Sequence, residues 1–374
     1  MKIGIPTERA SNETRVAMTP TVAEKYIDRG FEILVSAGVG ASAGWPDEAY
    51  ITAGCEVLEE REEIFERADI IVHVRGLAAA DLDEIEPYAD GQVIVGMLGP
   101  HQLDGELEAL AEQEITAFAL ELMPRISRAQ SMDVLSSMAS LAGYKAVVRA
   151  ADAVPKIMPM QMTAAGTIRP ATVFVLGAGV AGLQAIATAG RLGASVSAYD
   201  IRPEVKEEVE SLGAEFIELD LEAEDASDEE GHAREQDEAF YAKQREMLTR
   251  VVAESDIVIT TAAIPGRPSP ELITTEMIEG MPHGSVIVDL AAAGGGNCEP
   301  TVADEVIDCN GITIFGPTNL PGTIAHHASQ LYANNVYNFI THLYEDDEHA
   351  IDTEDEIVRS TLLLHEGVIQ DADA

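Results

Sequence analysis

Three glycines pose the first question of chemistry. Gly177, Gly179 and Gly182 stand as G-x-G-x-x-G in VFVLGAGVAGLQAIATAG, after an apolar β-type run and at the start of an apolar helical one. In that setting the first glycine permits a tight strand-to-helix turn, the second lets backbone approach a pyrophosphate, and the third lets helix and sheet pack closely. The pyrophosphate then rests on the amide-rich, partly positive helix end. Asp200 closes the following run, SVSAYD, where its carboxylate can accept both hydroxyls of a ribose. A 2′-phosphate there would meet a like charge, so NAD(H) is favoured over NADP(H). Arg202 is the competing signal, since an arginine there could pair with such a phosphate; it reads as a partner for nearby acids or for the pyrophosphate. An FAD fingerprint usually begins a chain, and this one lies far inside.

Ligands of doubly wound sheets bind beyond the carboxyl ends of strands. TTAAIPG, Thr260 to Gly266, and DLAAAGGGNC, Asp289 to Cys298, both follow strand-like runs, and Gly294, Gly295 and Gly296 offer backbone close to a ligand. The expected cofactor-binding set is therefore Gly177, Gly179, Val180, Ala181, Gly182, Asp200, Ile201, Arg202, Ala262, Ala263, Gly266, Gly296 and Asn297.

A self-contained dehydrogenase also needs a proton donor and, usually, a cation for the substrate carboxylate. Arg15 and Arg75 are candidate cations. His73 alternates with Val72 and Val74 on a strand, His101 follows a Gly-Pro turn, and His326 and His327 open a helix; each reads as a surface, core or capping histidine. No Ser/His/Asp order, Cys/His pair or metal pattern stands out, and no metal site is expected. One polar cluster does, MPRISRAQSMDVLSS, Met123 to Ser137. Arg125, Gln130, Asp133 and Ser136 can converge there on the crevice between domains. The plainer reading is a helix capped by Ser131, with Asp133 in the first turn.

Positioning these groups requires a scaffold of alternating strands and helices, the pattern of parallel α/β layers. The first strand set is KIGIP, FEILVSAG, DIIVHVRG, GQVIVGML and ITAFALEL; the second is TVFVLGAG, ASVSAYD, EFIELD, DIVITTAA, SVIVDLA and GITIFGP. The fold class is thus α/β, with two doubly wound parallel-sheet, Rossmann-like domains. Long helices over Ser131 to Asp152 and Ala328 to Tyr344 carry the chain across and back. The expected domains are residues 1–135 with 322–374, and a nucleotide domain over 136–321.

Bulk properties bound the rest. At 374 residues and 46% hydrophobic content the chain can bury two cores. No apolar run approaches the roughly 18 to 20 residues of a membrane-spanning helix, and the N-terminus lacks a signal pattern, so a cytoplasmic protein without direct membrane insertion is expected. Cys55, Cys298 and Cys309 have neither metal spacing nor an even count. A formal net charge of −43 would repel itself at low ionic strength, so a salt-rich, halophilic setting is expected. The same charge argues against nucleic acid as a partner.

PRISRAQSMDVLSSMASLAGYKAV, GAGVAGLQAIATA, RPEVKEEVESLGAEF, TTAAIPGRPSPELIT, GSVIVDLAA and GGNC closely resemble the NAD(H)-binding component, domain I, of proton-translocating NAD(P) transhydrogenase. That family is related in fold to alanine dehydrogenase. The resemblance runs from GIPTE to the ASQLYANN helix. It implies a soluble homodimer on the cytoplasmic face of the membrane. There it docks on membrane-spanning and NADP-binding subunits and passes hydride directly between NADH and the partner's NADP+. Such a transfer needs positioning rather than a protein acid or base, which explains the missing catalytic histidine. By the same resemblance Arg125, Gln130, Asp133 and Ser136 orient the nicotinamide ring as the catalytic set, Gln130 also reaches towards the partner's nucleotide, and Asp200 holds the ribose. Two departures stand out: His232 where the family often has a loop tyrosine, and Arg75 at a position commonly lysine. Alanine dehydrogenase is the alternative, although its histidine after the VIVGMLGPHQ strand is displaced here to His101. An NAD(H)-sensing module without turnover is a third reading.

Overall fold

The computed structural model describes residues 1–10, 12–76, 86–103, 105–219, 238–263, 267–344 and 351–370. In chain order its strands are β1 (Lys2–Ile5), β2 (Glu32–Ser36), β3 (Glu56–Leu58), β4 (Ile70–Arg75), β5 (Val93–Met97), β6 (Thr116–Ala119), β7 (Gln161–Thr163), β8 (Gly166–Ile168), β9 (Thr172–Leu176), β10 (Ser195–Tyr199), β11 (Glu215–Phe216), β12 (Ile257–Thr260), β13 (Val286–Asp289), β14 (Val306–Cys309), β15 (Ile312–Phe315), β16 (Leu362–His365) and β17 (Val368–Ile369). They form an eight-stranded sheet in the order β17-β16-β6-β5-β4-β1-β2-β3, a seven-stranded sheet in the order β11-β10-β9-β12-β13-β15-β14, and the hairpin β7-β8. The chain divides into two compact units, Met1–Met138 with Pro321–Ala374, and Ala139–Leu320.

Central parallel strands are covered on both faces and read as continuous apolar runs. β12, IVIT, and β13, VIVD, are buried along their whole length. Alternation sorts the side chains of the second sheet into two cores. Val173, Val175, Ile257 and Val286 pack with Ala146 and Val147 of the helix Val134–Ala153 and with Ala185 and Ile186 of the helix Val180–Arg191. Phe174, Val258, Ile287 and Ile314 pack on the other face with Leu248 and Val252 of the helix Glu238–Ala253. In each sheet the strand order reverses beside its first strand, β1 between β2 and β4, and β9 between β10 and β12. Such a reversal opens a crevice at the carboxyl ends of the strands.

The architecture is α/β as expected, but the sheets are not wholly parallel. β14 runs antiparallel to β15, β16 to β6 and β17 to β16. Two of these additions close through two-residue turns, Asn310-Gly311 and Glu366-Gly367, in which every residue has positive φ. That backbone matches the twist of flanking strands. β3, β14, β16, β17 and the hairpin β7-β8 lie outside the expected strands, while EFIELD supplies only β11. Among the described residues no helix is long and apolar enough to cross a membrane.

Candidate functional site

The second unit builds its site on the turn after β9. Gly177 has φ +100°, a conformation that only glycine takes without strain. A Cβ there would also stand 2.5 Å from Thr261 Oγ1, whose hydroxyl donates to the Gly177 carbonyl at 3.1 Å. Gly182 lies so close to that same carbonyl that a Cβ would overlap it. Around Gly179 a Cβ would meet nothing within 4 Å, so the backbone is open where the helix Val180–Arg191 begins. Tight turn, open approach and close packing thus fall on three successive glycines, and the open cradle fits a pyrophosphate. Val180 is exposed at the helix start. The Ala181 carbonyl packs against Gly143, where a Cβ would overlap it. Gly143 is absent from the site residues expected on sequence, although a glycine inside a long helix marks such a close approach.

Asp200, only 9% exposed, follows β10. Its Oδ2 accepts Ala178 N–H at 2.7 Å, tying the acid to the glycine turn. Arg202 lays its guanidinium across both oxygens, Nε to Oδ1 and Nη2 to Oδ2, each at 2.9 Å. Ile201, between them, is half-buried.

One residue missed in the sequence organises the loops after β12 and β13. The buried carboxylate of Asp289 accepts the Thr260 hydroxyl at 2.8 Å, the Thr301 hydroxyl at 2.7 Å, and the N–H groups of Ala291, Asn297 and Cys298. An aspartate ending an otherwise apolar strand is its only sequence signal. Asn297, expected beside the cofactor, turns its side chain into the fold. It is fully buried, its Oδ1 accepts Ala262 N–H at 3.0 Å, and its Nδ2 donates to the carbonyls of Ala262 and Pro270. Its amide is committed to shaping the Ala262 loop. Gly296 has φ +91°, and a Cβ there would crowd Asp289 and Thr301, so its glycine serves the same network. Ala262 and Ala263 lie just beyond β12, whereas Gly266 and His232 fall outside the described residues.

The first unit carries the polar turn. Arg125 and Gln130 are exposed; Asp133 and Ser136 are half-buried. Asp133, rather than Ser131, caps the helix Val134–Ala153: its Oδ1 accepts Ser136 N–H at 2.8 Å and its Oδ2 the Ser136 hydroxyl at 2.5 Å. The helix starts at Val134, so Asp133 stands immediately before it in the N-cap position, whereas Ser131 lies two residues earlier within the turn Ser127–Met132. Ser131 instead offers its carbonyl to Asn335 and Asn338 of the helix Ala325–Leu343, at 2.9 and 3.0 Å. Arg128 adds an ion pair to Asp355 at 2.6 Å. Gln130 is thus presented on a braced turn while making no hydrogen bond of its own among the described residues.

The other candidates are engaged within the fold. Arg15 is buried and bidentate on Glu13, at 2.5 and 2.7 Å. Arg75 reaches Asn12. His73 is buried against the Tyr88 hydroxyl at 3.0 Å, His101 lies in a one-turn helix after Gly99, and His326 stacks on Trp45.

Glu8 accepts the N–H groups of Val74 and Arg75 at the end of β4, at 2.6 and 3.0 Å, and lies 3.8 Å from His73. Burial is the dominant influence and pushes Glu8 up to about 8, with Glu13 adding to the rise and Arg15 opposing it. Burial pushes His73 down to about 4, against the pull of Glu86. Between about pH 4.5 and 6.5, the ordinary values of the two groups, they oppose each other: folding retains a proton on Glu8 and sheds one from His73. Above that window only Glu8 of this pair still differs between folded and unfolded chain. The folded form holds a proton that the unfolded chain has released, so stability falls as pH rises towards about 8, by up to about 1.4 kcal/mol per pH unit. Scanning calorimetry at fixed molar salt should show that fall, and Glu8→Gln should flatten it; an unchanged slope would remove Glu8 as its source.

The N-terminal domain of the alanine dehydrogenase/PNT family matches residues 4–142, and its C-terminal domain matches residues 146–372. The chain belongs to the alanine dehydrogenase/PNT family. Within that family it is 46% identical over 374 residues to the first segment of the NAD(P) transhydrogenase alpha subunit of Rhodospirillum rubrum, covering 99% of this chain and 97% of the relative. The corresponding protein of Rickettsia prowazekii is 44% identical over 99% of this chain and 96% of its own. The crystal structure of transhydrogenase from Sinorhizobium meliloti superposes with a TM-score of 0.88 at 44% identity, over 99% of this chain and 100% of that one. Alanine dehydrogenases stand further off, that of Methanococcus maripaludis at 26% identity over 90% of this chain and 85% of its own. Membership makes the protein an oxidoreductase with an NAD(H)-binding dehydrogenase-type domain.

Proposed function

We propose that this chain is the NAD(H)-holding subunit of a proton-translocating NAD(P) transhydrogenase, passing hydride between NADH and NADP+ held by a partner subunit. The observation that carries the reading is the three-glycine cradle with Asp200 in a chain aligned over 99% of its length with transhydrogenase alpha subunits. NADH supplies the hydride, and NADP+ accepts it to give NAD+ and NADPH. The protein's own groups bind and orient. Gly177, Gly179 and Gly182 seat the pyrophosphate, with Val180 and Ala181 at the helix start. Asp200, flanked by Ile201, receives the ribose, and Ala262, Ala263, Gly266 and Gly296 supply backbone around it. Arg125, Gln130, Asp133 and Ser136 orient the nicotinamide ring.

The same reading makes the chain a homodimer, peripheral on the cytoplasmic face of the membrane beside membrane-spanning and NADP-binding subunits. The hairpin β7-β8 supports the dimer: Met160, Met162 and Ile168 are exposed there, Met162 by 76%, on an otherwise strongly acidic chain. Apolar exposure of that kind marks an interaction surface.

The test is nicotinamide absorbance in molar potassium chloride, on material whose sedimenting mass is twice that of the chain. Pyruvate with ammonium should leave NADH unchanged. An NADP-loaded transhydrogenase partner domain with an NADP+ analogue should oxidise it. Oxidation on the first addition would make the protein an alanine dehydrogenase.

A further inference from the structure

The ribose acceptor is already fully used by the protein itself. An ionised carboxylate offers about four lone-pair directions. Asp200 Oδ1 takes the N–H and the Nε–H of Arg202, both at 2.9 Å; Oδ2 takes Ala178 N–H at 2.7 Å and Arg202 Nη2 at 2.9 Å. A ribose cis-diol donating to Asp200 needs two of these positions.

The four donors differ in how they can leave. Ala178 N–H belongs to the glycine turn. Arg202 N–H is held in place by Pro203, which restricts the preceding residue to the extended region that Arg202 occupies, φ −86° and ψ 111°. The guanidinium is different, because rotation about its side-chain bonds removes it without moving backbone. Its departure frees one lone pair on each oxygen, and those two are what a cis-diol requires.

We propose that Arg202 is a built-in competitor for the ribose subsite, its guanidinium occupying Asp200 in the free protein and yielding to the adenosine ribose of NADH. The inference rests on Asp200 as the ribose acceptor. Two properties follow. The apparent affinity for NADH is lowered by the fraction of molecules in which the pair is closed. Once displaced, the cation stays tethered beside the ribose, where a 2′-phosphate can meet it, so Arg202 narrows the margin by which Asp200 rejects NADP(H).

The experiment is calorimetric titration of the whole chain in molar potassium chloride, where a Debye length of about 3 Å suppresses distant charge effects. The probes are NADH, its adenosine 2′-deoxy analogue and NADPH. Arg202→Met, which keeps the apolar stem, should bind NADH about tenfold more tightly than the parent and NADPH more weakly. Arg202→Lys, which keeps the charge but not the two-pronged contact, should fall between them and carries the test if the methionine variant does not fold. NADH binding in these variants that is equal to or weaker than in the parent overturns the proposal. Equal binding of NADH and the deoxy analogue by the parent chain would instead remove Asp200 as ribose acceptor, a failure of the underlying reading.

Discussion

Gly182→Ala should abolish NADH binding, lowering affinity by at least about a hundredfold. The added carbon would sit inside the Gly177 carbonyl, 2.8 Å from its carbon atom, and both contacts are backbone. No rotamer relieves them. Either the helix Val180–Arg191 retreats from the sheet or the Gly177 turn opens, and the amides of the cradle lose their aim in both cases. The same clash should cost about 2–4 kcal/mol of stability. Gly179→Ala gives the contrast that isolates the cause. Its backbone, φ −76° and ψ −168°, suits any residue, and its Cβ would meet nothing within 4 Å. Stability should stay within about 0.5 kcal/mol, while NADH affinity still falls, because the methyl group fills space the pyrophosphate needs. Calorimetric titration paired with thermal melts reads both. If Gly182→Ala binds NADH within about threefold of the parent, the cradle is not the pyrophosphate site.

Gln130→Ala should slow hydride transfer by about a hundredfold while changing the NADH dissociation constant by no more than about threefold. The side chain is exposed and makes no hydrogen bond among the described residues, so its removal leaves nothing unsatisfied in the fold. Its turn is braced instead by Asn335 and Asn338 on the Ser131 carbonyl and by Arg128 on Asp355. The melting temperature should therefore stay put. Stopped-flow transfer to a partner-bound NADP+ analogue, beside an NADH titration, separates the effects. Equal losses in rate and affinity would make Gln130 a general binding residue and end its assignment to ring orientation.

The components of this site legible in the sequence are those whose physics is local. Gly177, Gly179 and Gly182 sit within six residues, and each is required by backbone geometry that spacing alone can express. Asp200 closes the next strand. The Asp289 network is not legible, because its donors, Thr260, Ala291, Asn297, Cys298 and Thr301, come together only when β12 and β13 pair. For the same reason Asn297, which reads as a loop polar group facing a ligand, turns inward. Ser131 reads as the helix cap because serine ahead of an apolar run usually is one, yet two amides from a distant helix claim its carbonyl and Asp133 takes the position. The antiparallel strands carry a usable signal in Asn310-Gly311. It is easily passed over, since apolar runs are what mark a strand and β14 reads V-I-D-C, half exposed.

β6 pairs with β16, so the eight-stranded sheet is closed by residues made before and after the whole of the Ala139–Leu320 unit. The seven-stranded sheet draws only on that unit's own residues. During synthesis the middle of the chain can thus complete its sheet while the final strands are still being made. That topology allows the reverse of the usual order, N-terminal domain first. Until Leu362 emerges, β6 waits with an unpaired edge. A nascent chain that has emerged as far as Leu320 but not as far as Leu362 would therefore hold a nucleotide unit with all its strands available and a first sheet still lacking β16.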